Sequence, residues 1–257
     1  MLRDMRRILI GAAFVSATAF FATLAIVGCL VIPNGNPLIW CARPWARAVL
    51  AVCGTKVRVA GRARVPDGRP VIYITNHQSH FDMLALIRAL PGQYRAIAKK
   101  ELFAIPLFGW AIWLAGFIRI DREDREKAFR SLDVAAERIR RGRSVLVFAE
   151  GTRSPDGRLL PFKKGGFVLA IQSGCPIVPI SISGSRAILA RNTLDVRRGT
   201  IDVVIGEPIE VTDYTMETRN ELIARVRSAI EAGFTELKLL DGEGAFTTRS
   251  HQPAGGV

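Results

Sequence analysis

Cysteine is scarce and carries no pattern. The four thiols, Cys29, Cys41, Cys53 and Cys175, include no C-x-x-C pair. That spacing argues against a thiolate metal site or a disulfide framework and points to a reducing, cytosol-facing location. Histidine is scarcer still, with three in 257 residues. A zinc site on His77, His80 and Asp82 would lack a further protein ligand for a closed shell of about four, so no metal is expected. Acidic residues are in deficit: 23 Asp and Glu face 36 Lys and Arg, a net charge of +13 with a pI near 10.4. Such a surface calls for an anionic partner, either nucleic acid or anionic lipid. The sequence has no RNP-like run, no basic heptads and no paired Cys/His fingers, so no nucleic-acid partner is expected. No internal repeat is visible.

Charge is also missing where a membrane would forbid it. The 25 residues from Ile8 to Ile32 contain no charged side chain. As a helix they reach about 37 Å, enough to cross a bilayer core of about 30 Å with some tilt. The basic start, Arg3, Arg6 and Arg7, would also suit a signal peptide. The run is too long for a typical h-region, however, and no Ala-x-Ala-like site precedes Pro33, so a retained membrane segment is the reading adopted. Pro33-Asn34-Gly35-Asn36-Pro37 forms a turn. The stretch from Leu38 to Cys53 then mixes Trp40 and Trp45 with Arg43 and Arg47, a composition suited to a helix at the headgroup level. Residues 1–54 therefore read as a membrane-anchoring helical pair, with anionic membrane lipids as partner.

From Thr55 onward, short β-branched runs alternate with helical patterns. Strands are expected at Lys56–Val59, Val71–Thr75, Tyr94–Ala98, Phe117–Ile120, Val145–Phe148, Ile177–Ile182 and Ile201–Ile205. Helices are expected at His80–Leu90, Pro106–Leu114, Arg125–Arg141, Gly165–Ser173 and Thr215–Leu239. The alternation predicts an α/β fold, a mostly parallel sheet flanked by helices, over residues 55–240. Residues 241–257 are Gly-rich and polar and are expected to be a disordered tail.

Three polar clusters follow apolar strands. Thr75-Asn76-His77-Gln78-Ser79-His80-Phe81-Asp82 links the VIYIT strand to an apolar helix. Ser79 and Asp82 resemble a capping box, placing Asp82 in the first helical turn. A turn between them would let the Asp82 carboxylate reach a ring nitrogen of His77, setting its tautomer and leaving the other nitrogen free to take a proton. Taken alone, a His-Asp pair is more often structural than catalytic. Arg122, at the end of Gly116–Arg122, offers a guanidinium fork for phosphate, although a solvated Asp121-Arg122 pair is the default for that motif in isolation. Glu150-Gly151-Thr152-Arg153 follows a buried-type strand; Gly151 permits close backbone approach, and Thr152 and Arg153 can donate to an anion. Ligand sites in α/β sheets gather outside the carboxyl ends of strands, where all three clusters fall. Lys163 and Lys164 are as readily solvated surface lysines as ligand contacts. Pro179 inside an apolar strand implies an edge, a bulge or a special backbone path.

These stretches, in this order, resemble the glycerolipid acyltransferase family. Its N-H-x-x-x-x-D motif matches Asn76, His77 and Asp82. Its Gly-x-Ile/Val-x-Ile-Asp-Arg pattern matches Gly116 to Arg122. Its Phe-Pro-Glu-Gly-Thr-Arg-Ser motif matches Phe148 to Ser154, with Ala149 in place of proline, and its Val-Pro pair matches Val178-Pro179. The resemblance covers about residues 55 to 210. It implies transfer of an acyl group from acyl-CoA or acyl carrier protein to the sn-2 hydroxyl of a lysophosphatidate-type acceptor, making phosphatidate, with the donor as substrate and no cofactor. It carries over His77 and Asp82 as the catalytic pair and Arg122, Glu150, Gly151, Thr152 and Arg153 as substrate-binding positions. Such donors are cytosolic, so the catalytic domain is expected to face the cytoplasm from a bacterial inner membrane. Central arginines cost roughly 2.5–3.5 kcal/mol each on insertion scales, which favours a shallow helical pair in one leaflet over a spanning hairpin. Acylation of lyso-ornithine lipid or another lysophospholipid is the sibling alternative; a non-catalytic membrane lipid-binding protein and a secreted basic hydrolase are alternatives of other classes.

Overall fold

The computed structural model describes residues 2–121 and 125–246, the side chains of 2–4, 6, 125–130 and 237–246 excepted. The strands are β1 (Thr55–Ala60), β2 (Ile72–Thr75), β3 (Tyr94–Lys99), β4 (Ile118–Ile120), β5 (Ser144–Phe148), β6 (Ile177–Ser183) and β7 (Gly199–Ile205). All coincide with expected runs to within two residues. They form a seven-stranded sheet in the order β1-β7-β6-β2-β5-β3-β4. Every pairing is parallel except β6 with β7, which is antiparallel.

The alternation of buried residues along each strand explains the layers. On one face Tyr73, Leu146, Val178 and Ile180 pack under α2 (Asn36–Cys53) and α3 (Phe81–Ala89). On the other, Ile72, Ile74, Val145 and Val147 pack under α5 (Arg125–Arg140), α6 (Gly165–Ser173) and α8 (Arg219–Phe246). With both faces covered, the central strands lose the polar alternation of a half-exposed sheet and read as continuous apolar runs. The helix α8 continues through Phe246, so the expected tail from Asp241 begins as helix; residues 247–257 lie outside the described residues.

Pro179 occupies a central strand, and a bulge accommodates it. Between the Ile180–Ile205 pair and the Ile177–Ile209 bridge the antiparallel register slips by one residue. The slip falls at Pro179, whose carbonyl still accepts the Gly206 N–H at 2.8 Å. A residue without an N–H is tolerated where no ladder bond is required.

The N-terminal helices fold onto the domain. The helix α1 (Leu2–Val31) packs against α2 and against α4 (Phe108–Leu114) around Ala22, Ala25, Leu38, Ala111 and Ile112. Its Thr18 hydroxyl accepts the Trp45 indole N–H at 3.1 Å, and Arg7, near its start, pairs with Asp195 at 3.3 Å. Its Arg7–Val31 segment has a mean hydropathy of 2.2 and is long and apolar enough to cross a membrane. It leaves Ile8, Leu9, Val15, Phe20, Val27 and Leu30 exposed, and Trp40 of α2 and Trp110 and Trp113 of α4 are exposed as well.

Candidate active site

The site stands at the C-terminal end of β2, in the middle of the sheet. Asn76 extends that strand with its side chain: its amide nitrogen donates to Ile182 O at 2.9 Å, and its oxygen accepts the Ile182 N–H at 2.8 Å. The chain then turns through His77, Gln78 and Ser79 into α3. Asp82, fully buried in the first turn of α3, gathers the loop onto one oxygen. Its Oδ2 accepts the Gln78 N–H at 2.6 Å and the Ser79 N–H at 2.8 Å, and lies 2.7 Å from His77 Nδ1. Its other oxygen is buried without a hydrogen-bond partner. The expected capping box is half formed: Asp82 reaches back to Ser79 N–H, whereas the Ser79 hydroxyl donates to Leu189 O at 2.7 Å.

This geometry sets the tautomer. With Nδ1 donating to Asp82, His77 Nε2 carries the free lone pair and is the atom able to accept a proton. The ring is partly exposed, its side chain 17% accessible, and it stacks on Phe148 with ring centroids 4.0 Å apart. His77 is thus held by a carboxylate at its edge and an aromatic ring at its face.

Glu150 departs from its expected role in substrate contact. It is 1% exposed, and both carboxylate oxygens take backbone amides: His77 N–H at 2.8 Å and Leu160 N–H at 3.0 Å. It braces the loop that carries the imidazole. Burial pushes its carboxyl above the ordinary range, with the two amides opposing that shift. Ala149 adds a second strut, its N–H donating to Thr75 O at 2.9 Å. A proline there could not make that bond. Ser154 N–H closes the loop onto His77 O at 2.8 Å.

Gly151 adopts a left-handed conformation, φ 67°, where a Cβ would meet the Lys163 side chain at 3.2 Å. The turn presents Thr152 to solvent and leaves Arg153 half-buried. No ion pair or side-chain hydrogen bond holds the Arg153 guanidinium among the described residues. Burial, then the charge of Arg191, lowers its pKa, while Asp82 opposes the shift. Arg191, which sequence reasoning missed, donates to Arg153 O at 3.2 Å. Guanidinium groups are chemically suited to pair with an anion such as phosphate. His80 stands nearby, its pKa lowered by burial and by the charges of Arg153 and His77.

Arg122 lies outside the described residues. Its neighbour Asp121 pairs with Lys100 at 2.9 Å at the end of β4, and the sheet order puts β4 two strands from β5, about 10 Å away at ordinary strand spacing. The geometry therefore joins His77, Asp82, Gly151, Thr152 and Arg153 at adjacent strand ends and converts Glu150 into a support. An apolar cavity of about 90 Å³ lies between α1, α2, α3 and α4, bounded by Met83, Trp45, Phe21 and Phe108. It was not legible in the sequence because its walls come from four separate helices.

An imidazole oriented by a buried carboxylate, with its second nitrogen free, has the geometry that a general base requires. Comparison narrows the class. A family model described as Acyltransferase matches residues 56–183. The 1-acyl-sn-glycerol-3-phosphate acyltransferase alpha of Homo sapiens is 34% identical over 226 residues, 88% of this chain and 80% of the relative. The 1-acyl-sn-glycerol-3-phosphate acyltransferase of Haemophilus influenzae is 36% identical over 198 residues, 75% of this chain and 80% of the relative. The crystal structure of the 1-acyl-sn-glycerophosphate (LPA) acyltransferase PlsC from Thermotoga maritima superposes with a TM-score of 0.76 at 28% identity, covering 92% of this chain and 98% of that one. The chain belongs to the acyltransferase family, and within it to the 1-acyl-sn-glycerol-3-phosphate acyltransferases.

Proposed function

We propose that the protein transfers an acyl group from acyl-CoA or acyl carrier protein to the sn-2 hydroxyl of lysophosphatidate, forming phosphatidate. The observation that carries this reading is the 2.7 Å contact between His77 Nδ1 and Asp82. His77 Nε2 takes the hydroxyl proton as that oxygen attacks the thioester carbonyl, and Asp82 stabilises the imidazolium. The C–S bond breaks as the tetrahedral intermediate collapses, and the imidazolium returns its proton to the departing thiolate. Main-chain N–H groups of Thr152 and Arg153 hold the oxyanion, a contribution of about 3–4 kcal/mol per donor in comparable sites; the Gly151 N–H is taken by Phe148 O at 3.1 Å. Arg153 and Arg191 hold the acceptor's phosphate. No cofactor enters the scheme.

We place α1 and α2 within one leaflet, with the site facing the cytoplasm. Contacts near both ends of α1 support this: Arg7 reaches Asp195, and Gly28 abuts Pro37 at the α1–α2 turn. The cavity bounded by Met83, next in chain to Asp82, lies between the same helices and suits an acyl chain.

Purified protein mixed with lysophosphatidate and acyl-CoA, or with acyl carrier protein thioester, is expected to release thiol and form phosphatidate. Faster turnover of lyso-ornithine lipid or another lysophospholipid in the same acceptor panel would reassign the acceptor. Absence of thiol release with every acceptor would leave a lipid-binding protein.

A further inference from the structure

At the edge of the sheet opposite His77, the beginnings of β3 and β5 meet the α1–α2 turn. A cavity of about 210 Å³ lies there, lined by Asn34, Gly35, Arg95, Arg138, Arg141 and Arg143. Arg95 is 2% exposed. Its guanidinium donates to Tyr94 O at 2.9 Å, Asn34 O at 3.0 Å, Asn36 Oδ1 at 3.3 Å and Gln93 Oε1 at 3.4 Å. All four acceptors are neutral. Arg143 donates to the same Asn36 oxygen. Arg138 approaches Gly116 closely enough that a Cβ there would stand 3.1 Å from its guanidinium carbon, and it has no ion-pair partner among the described residues. Among the described residues, Arg141 is the one of the four with a carboxylate partner, Glu137 at 2.7 Å, and Arg140 shares that carboxylate.

The bland account is that these arginines serve helix ends. It covers Arg138, in the last turn of α5, where a cation offsets the helix dipole. It extends to Arg143, whose N–H donates to Arg138 O at 3.0 Å just past the helix end, but not to Arg95, which lies within β3. The N-terminus of α2, beginning at Asn36, adds further positive potential. A buried guanidinium flanked by two others is costly unless an anion neutralises it. Burial and the charges of Arg143 and Arg138 already lower the Arg95 pKa to about 10.

The surroundings identify the source of the anion. Trp113 lines the cavity and is 68% exposed, and α1 ends nearby with Leu30 and Val31 exposed. Tryptophan beside apolar surface marks the headgroup level of a bilayer. We propose that this cavity binds the headgroup phosphate of an anionic phospholipid and so fastens the α1–α2 turn to the sheet. The site is separate from the catalytic anion receptor, because the six-residue strand β3 spans about 20 Å between the two edges.

The test is arginine footprinting of the full chain in neutral detergent. Phenylglyoxal modification is read peptide by peptide, with dioctanoyl phosphatidylglycerol, dioctanoyl phosphatidylcholine or inorganic phosphate as probe. At a concentration about ten times the dissociation constant, phosphatidylglycerol should slow modification of Arg138 and Arg143 about tenfold. The same protection is expected in His77→Ala protein, and none from phosphatidylcholine. Equal protection by inorganic phosphate would overturn the lipid assignment, and no protection by any probe would overturn the site. A second reading uses Arg138→Gln with Arg143→Gln, against the charge-matched pair Lys56→Gln with Arg225→Gln. Phosphatidylglycerol should raise the melting temperature of the control pair and not of the first. An equal rise in both would show non-specific attraction and sink the proposal; if the first pair fails to fold, the footprint on the natural chain decides.

Discussion

The C-terminal edge of the sheet and the outer face of α1 are built on opposite rules. Around His77, a carboxylate and a braced loop hold one side chain through hydrogen bonds of 2.6–2.8 Å, with an aromatic ring stacked at 4.0 Å. On α1, large apolar side chains such as Val15 and Val27 stand exposed, with no protein packed over them. Proton transfer needs a defined distance and direction, whereas partition into lipid needs only apolar area. Single substitutions at the catalytic edge should therefore act steeply on rate, and those on α1 additively on membrane affinity.

The steepest break comes from Asp82→Asn. The amide cannot accept the same three donors and favours the wrong tautomer, so kcat should fall by about 10³- to 10⁴-fold, as in comparable acid–imidazole pairs. A loss below tenfold in steady-state kinetics would mean that the pair is only structural. Arg191→Ala should raise the KM for lysophosphatidate about ten- to a hundredfold with a smaller effect on kcat, because it removes a charge-assisted contact. An unchanged KM would place the acceptor's phosphate elsewhere.

Glu150→Ala leaves the His77 and Leu160 amides without acceptors, and a buried donor so stranded costs about 1–3 kcal/mol. Urea denaturation should show this loss together with slower turnover. The sign of its pH dependence follows from the raised carboxyl. The proton-linked part of its stabilisation is fully present below the ordinary glutamate value of 4.5 and is lost as pH rises through the raised one. The advantage of the natural chain over the variant should therefore shrink with rising pH across that window; growth would contradict the burial argument. The mildest change is Val15→Ser or Val27→Ser, each lowering partition into vesicles about tenfold or less, with turnover of a soluble short-chain acceptor unchanged. Loss of that turnover would show that α1 shapes the site directly.

Legibility in the sequence followed the distance between partners. The central strands β2, β5 and β6 were readable as short apolar runs buried on both faces, and the outer strands by their β-branched residues. The His77–Asp82 pair was readable because its members lie on one turn. The role of Glu150 was not, since one partner amide belongs to His77, 73 residues earlier, and the other to Leu160 across an irregular loop. Arg191 follows no motif and joins the site through the fold alone. The antiparallel turn of β7 against β6 and the bulge at Pro179 depend on pairing register, which strand composition does not encode. The four arginines of the opposite edge come from β3, from α5 and from the residues between α5 and β5, so only the tertiary arrangement brings them together.

The most direct test compares phosphatidate formation by the natural chain and by His77→Ala, both purified and supplied with the same thioester and lysophosphatidate. A general base taking the hydroxyl proton predicts that the variant is at least about a hundredfold slower while its thermal unfolding matches the natural chain. Phosphatidate formation within a few-fold of the natural rate would show that the imidazole does not do the chemistry.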